Sequence, residues 1–167
     1  MISPRELEVY ANEHREENMA FRLFLKEHAD SETLDAQFLN YHKQYFEQYN
    51  CKECLNCCTQ LSPLFEGKEL EALAQAGNLY VEDILEVCEQ VDYDSYEVIE
   101  GEKCPFLTEE GCSISKNKPE NCKDFPYTNQ ENRLGSMLGI LSNLAICPVL
   151  YEIYDQLKKD YGFTYKG

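Results

Sequence analysis

At 167 residues and 43% hydrophobic side chains, the chain can bury about 68–70% of its unfolded surface in one domain, so it needs no disulfides to compensate for a small core. Its net charge of -16 repels nucleic-acid phosphates, and no apolar run approaches the roughly 20 residues of a membrane span, so neither nucleic acid nor membrane is an expected partner. The opening MISPRELEVYANEHREEN lacks the basic and apolar regions of a signal peptide, and the expectation is a cytoplasmic chain whose thiols stay reduced.

In chain order, Ser3-Pro4-Arg5-Glu6 offers an N-cap, a first-turn proline and a capping-box glutamate, followed by Leu7, Tyr10, His14, Phe21, Phe24 and Leu25 on one stripe. A second helix is predicted from Asp30 or Ser31, with Leu34, Phe38, Tyr41, Tyr45 and Tyr49 recurring every three or four residues. The two make an αα-hairpin over residues 1–50, and their aromatic stripes read as core. Beyond the Cys51–Cys58 stretch, Ser62-Pro63 opens a turn and Lys68 to Ala76 reads as a short helix closed by Gly77. Val81, Ile84, Leu85 and Cys88 fall on one face of a further helix, which makes Cys88 a small buried hydrophobe rather than a ligand. Tyr96 to Ile99 and Cys112 to Ile114 read as short strands. Lys116 to Asn129 reads as loop with one helical turn at Pro119, and Leu138 to Ile146 as a buried apolar segment. A last helix runs over 148–162, with Pro148 in its first turn, Lys158-Lys159 in its last and Gly162 beyond. The expected fold is mainly α with a small irregular β segment, a single compact domain in which 51–148 forms a cysteine-cluster region around a metal centre.

Nine cysteines are present, and an odd number in a reducing compartment favours metal binding over a disulfide framework. CKECLNCC, Cys51 to Cys58, carries four of them. Thiols two residues apart can face one ion, at about 2.3 Å from zinc, so Cys51, Cys54 and Cys57 supply three potential ligands. C-x2-C-x2-C with a remote Cys-Pro is also how bacterial ferredoxins hold iron–sulfur clusters, and this chain has Cys104-Pro105 and Cys147-Pro148. Neighbouring side chains usually diverge, so Cys57 and Cys58 are expected to serve different metal atoms, or one of them to be spare. Setting Cys88 aside leaves Cys51, Cys54, Cys57, Cys58, Cys104, Cys112, Cys122 and Cys147: two sets of four, or one polynuclear centre with spares. Four thiolates on one dication leave a charge of -2 per site, so metal does not relieve the acidic excess.

CKECLNCC followed by CPFLTEEGCSISKNKPENCKDFPY resembles the YkgJ-like cysteine-cluster family of zinc- or iron-chelating proteins, over roughly Cys51 to Tyr127. The family pattern is CxxCxxCC, CPFL, a Gly-Cys pair, a tyrosine-containing turn, Arg-Pro and a Cys-Arg-x-x-Pro segment. Cys51, Cys54, Cys57, Cys58, Cys104 to Leu107, Gly111, Cys112, Pro119, Cys122 and Pro126 match it, with Cys147-Pro148 as a further late cysteine. Ser115 stands where the family has tyrosine, and Lys118 and Lys123 stand for its arginines, keeping charge but losing the planar fork. The resemblance implies a metal-binding protein with the eight cysteines as ligands to Zn2+ or an iron–sulfur cluster, the choice left open.

Flagellin lysine methylases of bacteria carry a related cluster in longer chains, which brings in the alternative of a metal-dependent redox or modifying enzyme. No Gly-rich nucleotide loop and no nucleophile–base pair stands out here, so a stand-alone enzyme is not the leading expectation. A metal-stabilised interaction module with an acidic face for a basic partner is the third reading. His14, His28 and His42 read as ordinary helix residues, with His42 the one nearest in sequence to the cysteines, and Asp124 reads as a solvated charge.

Overall fold

The computed structural model describes residues 1–167. In chain order it contains α1 (Leu7–Glu13), α2 (Arg15–His28), α3 (Ser31–Phe46), α4 (Cys51–Cys54), α5 (Asn56–Gln60), β1 (Leu64–Glu66), α6 (Leu70–Gly77), α7 (Val81–Glu86), β2 (Cys88–Asp92), β3 (Ser95–Val98), β4 (Leu107–Thr108), β5 (Gly111–Cys112), α8 (Glu120–Asp124), α9 (Met137–Asn143) and α10 (Pro148–Asp160). The fold is mainly α with small antiparallel sheets, as the sequence pattern indicates. Two units divide the chain: a helical unit, Met1–Asn50 with Pro126–Gly167, and a cysteine unit, Cys51–Phe125.

In the helical unit Asp30 caps α3 as expected, its carboxylate accepting from the Thr33 N–H at 2.9 Å. The first helix departs from expectation. Ser3 to Glu6 forms a turn in which the Ser3 carbonyl accepts from the Glu6 N–H at 3.0 Å, and α1 begins only at Leu7 with no side-chain cap. It also ends at His14, whose backbone leaves the helical region before α2 begins. The core combines Phe21, Leu25, Leu34 and Phe38 with Val149, Ile153, Tyr154 and Leu157 of α10, all at 0% exposure. Within it the Tyr154 hydroxyl donates to the Asn18 backbone carbonyl, and the Asn18 amide donates to the Tyr151 hydroxyl, each at 2.9 Å. The 3.6-residue period of α9 turns Met137 and Ile140 inward and leaves Leu138 58% exposed, correcting the expectation that Leu138 is buried.

In the cysteine unit, β1, β3 and β2 form an antiparallel sheet in that spatial order, and β4 pairs with β5 in a two-stranded ladder. The sheet packs Phe65 and Val98 against Leu70, Leu73 and Ala74 of α6, with Ile84, Phe106 and Ile114 completing a small apolar cluster. Cys88 is not on a helix. α7 stops at Glu86, and Cys88 starts β2 opposite Val98, where it packs half-buried on this cluster. The apolar spacing from Val81 is continued by a strand because cross-strand pairing, which local periodicity does not encode, takes over there. Gly77 does not supply the left-handed cap of α6; Asn78 does, at φ 54. Gly77 is instead required by packing, since a Cβ there would stand 2.7 Å from the Phe106 ring.

Candidate metal centre

The Cys51–Cys58 stretch is not a loop. Cys51 and Cys54 belong to α4 and Cys57 and Cys58 to α5, with Leu55 between them at φ 50 in the left-handed region. A non-glycine residue seldom takes that conformation, and here it interrupts the helix so that the four thiols do not follow one spiral. Gly111, at φ 107, lets β5 come close to this corner: a Cβ on it would meet the Lys52 carbonyl at 3.6 Å and the Leu55 methyls at 3.7 Å. Cys112, the next residue, is thereby set beside the α4–α5 corner.

The downstream thiols arrive on separate short elements. Cys104 precedes β4, Cys112 ends β5 and Cys122 lies in α8, for which Pro119 is the N-cap. Backbone N–H groups of Phe106 and Leu107 hydrogen-bond the Cys104 sulfur and favour its thiolate, although burial outweighs them and holds the thiol up. Burial likewise raises Cys51, opposed by the Lys118 ammonium and reinforced by Cys54 and Cys58. Burial pushes Cys122 up to about 11, with Cys104, Cys58 and Cys112 adding to the rise and Lys118 opposing it. Cys58 is the exception. The Cys57 thiol donates a hydrogen bond to its sulfur and Lys118 adds positive charge, bringing it down to about 6 against the cost of burial.

These couplings place Cys51, Cys54, Cys57, Cys58, Cys104, Cys112 and Cys122 in one neighbourhood with Cys58 as its hub. The hydrogen bond within the doublet corrects the expectation that Cys57 and Cys58 diverge: their sulfurs face each other. In a tetrahedral site with zinc–sulfur bonds of about 2.3 Å the sulfurs stand about 3.8 Å apart, a spacing close to that of a thiol–thiolate hydrogen bond. Soft, partly buried sulfur donors fit zinc or iron. The sulfurs are gathered but not closed, since no three Cys, His, Asp or Glu side chains stand in the arrangement of a finished metal site.

Cys147 belongs to the helical unit. It is buried, caps α10, and its sulfur accepts from the Leu150 N–H at 3.5 Å, an N–H···S contact like that at the other Cys-Pro step. His42 is also in the helical unit, its Nδ1 2.8 Å from the Thr128 hydroxyl and its ring 4.7 Å from that of Phe46. The Nδ1 atoms of His14 and His28 each lie 2.9 Å from a carbonyl one helical turn back.

Three residues matter more than sequence reasoning anticipated. Lys118 is half-buried and electrostatically linked to Cys51, Cys58 and Cys122, whereas Lys123 is exposed. Cys88, placed outside the ligand set, lies close enough to Cys104 for that thiol to add to the burial that pushes it up to about 11. Arg133 is 5% exposed and donates to the Tyr127 carbonyl at 2.6 Å and the Glu131 carbonyl at 2.7 Å, while Asp35 accepts from the backbone N–H groups of Asn132 and Arg133. A lone arginine in a polar loop carries no sequence mark of such a role.

The family model "CxxCxxCC: Putative zinc- or iron-chelating domain" matches residues 50–138, more than half of the chain. No curated protein and no solved structure matches it. The matched segment takes in the whole cysteine unit and the Arg133 loop, and metal chelation is the property its description states. This chain belongs to the CxxCxxCC family of zinc- or iron-chelating domains.

Proposed function

We propose that the chain holds zinc or iron in one continuous thiolate centre built from Cys51, Cys54, Cys57, Cys58, Cys104, Cys112 and Cys122. The position of Cys58 carries this reading. Its sulfur accepts a hydrogen bond from the Cys57 thiol and is electrostatically coupled to Cys51 on α4, Cys104 before β4 and Cys122 on α8, so it links the two cysteine groups of the sequence. Coupling that runs across both cysteine groups favours one polynuclear centre over two independent four-cysteine sites. Lys118, coupled to three of these sulfurs, offsets part of the negative charge that such a centre accumulates.

Closing the centre around an ion draws α4, α5, the β4–β5 turn and α8 together, so binding and the stability of these short elements are coupled. For a structural zinc site the apparent affinity of about 10–16 kcal/mol becomes folding free energy, comparable with or above the roughly 5–15 kcal/mol net stability of a domain. Zinc supplies a structural cross-link when bound, and an iron–sulfur cluster supplies an electron-transfer group. Burial holds Cys51, Cys104 and Cys122 protonated, so loading expels protons and affinity falls as pH is lowered.

Anaerobic purification followed by measurement of zinc, iron and acid-labile sulfide per chain tests the reading. At least one metal per chain is expected. A colourless zinc-loaded protein selects zinc, and a brown one with iron and sulfide selects the cluster. Sub-stoichiometric amounts of every metal overturn the proposal.

A further inference from the structure

We propose that the outer edge of β2 is a docking site for a basic, extended polypeptide segment, which adds to the sheet as a fourth strand. β2 is an edge strand, since the spatial order is β1-β3-β2. Which of its backbone groups face outward follows from the hydrogen bonding of β3. The Val98 N–H donates to the Pro63 carbonyl at 3.1 Å on the β1 side, while the Ile99 N–H donates to the Val87 carbonyl at 3.0 Å on the β2 side. Cys88, opposite Val98, is therefore in a non-hydrogen-bonded pair, as is Gln90 opposite Tyr96, and Glu89 between them is bonded to Glu97. The N–H and C=O of Cys88 and Gln90 thus point away from the sheet, and no other backbone bond engages them. Four groups at two-residue spacing, ahead of the irregular pairing between Gln90 and Asp92, match what an added strand offers. Residues 89 to 92 are exposed, Val91 at 47%, and the turn residue Tyr93 at 93%.

Charge decides what kind of strand fits. Phe65, Tyr96 and Val98 face the core, so Leu64, Glu97 and Glu89 form the cross-strand row on the opposite face. Glu89 stands directly opposite Glu97, a like-charge pair that destabilises a sheet, and neither has an ion-pair partner. From Glu82 to Glu110 the chain carries eleven carboxylates and one lysine. A cross-strand glutamate pair beside an open edge is relieved by lysine or arginine at alternate positions of an incoming strand, whose intervening β-branched residues turn to the opposite face.

Binding of a labelled eight-residue peptide of alternating lysine and valine to the full chain tests this, with alternating glutamate–valine and an all-lysine peptide as controls. The lysine–valine peptide is expected to bind at least tenfold tighter than either. Gln90→Pro removes one outward N–H together with the side-chain bonds from Gln90 to the Asp92 and Tyr93 carbonyls, and Glu97→Lys leaves the backbone intact and pairs Glu89 internally. Each is expected to weaken binding tenfold or more, with circular dichroism unchanged. Equal binding of the all-lysine peptide, or full binding by Gln90→Pro, overturns the strand-addition geometry. No binding of the basic peptide overturns the proposal, and so does a dimer lost in Gln90→Pro, which would assign the edge to a second copy of the chain. None of these readouts depends on metal content, so they stand or fall apart from the proposed centre.

Discussion

The two units of this chain reach order by different physics. The helical unit is organised by large apolar side chains. Phe21, Phe38, Tyr151 and Tyr154 are buried, the rings of Phe21 and Tyr154 meet edge-on at 5.2 Å, and Lys158 bridges Glu17 and Asp155 at 3.0 and 3.1 Å. The cysteine unit has elements of two to eight residues around a small cluster containing Phe65 and Phe106 as its buried aromatics, and it collects the seven proposed ligands. Strands of two residues and four-residue helices do not persist on propensity alone. The contrast teaches that one half carries a large core of its own, while the other, on the proposed reading, is finished by what its thiols bind.

The contrast can be broken or sharpened by mutation. The largest expected effect is at the hub: Cys58→Ser should reduce metal affinity by more than about 100-fold, beyond the 10–100-fold typical of outer-sphere changes, measured by competition with a chelator. In the helical unit Tyr154→Ala should cost about 3–5 kcal/mol in denaturant unfolding and leave metal stoichiometry intact, because it removes a fully buried ring and its bond to Asn18. Gly77→Ala should cost about 1–3 kcal/mol in the cysteine unit, since the added methyl meets the Phe106 ring at 2.7 Å. The smallest effect is a pH dependence. Burial, aided by the charge of Lys43, lowers the pKa of His42 below its ordinary 6.5. The unfolded chain then takes up a proton that the folded one resists, so the stability of the helical unit should fall as pH drops below 6.5. His42→Gln should flatten that slope in thermal melts at pH 5 to 7.

What the sequence made legible was local. Asp30 announces a helix start because its partner, the Thr33 N–H, is three residues away. Pro148 and Gly162 bracket α10 for the same reason. The cysteines were readable from spacing, because ligand chemistry restricts residue type so strongly. Cys88 was misplaced because its apolar spacing fits a helix until Val98 pairs with it. β1 and the role of Lys118 were hidden for a related reason: both arise from residues far apart in the chain, Leu64 against Glu97 and Lys118 against Cys51 and Cys58. The break between α4 and α5 depends on the left-handed Leu55, a conformation that leucine does not advertise.

The most direct test of a metal-finished cysteine unit is amide hydrogen exchange on the loaded protein before and after removal of metal by a chelator. Protection should be lost across Cys51–Phe125 and retained in α2, α3 and α10, and it should return on reloading. Unchanged protection of the cysteine unit after complete metal removal would contradict the account.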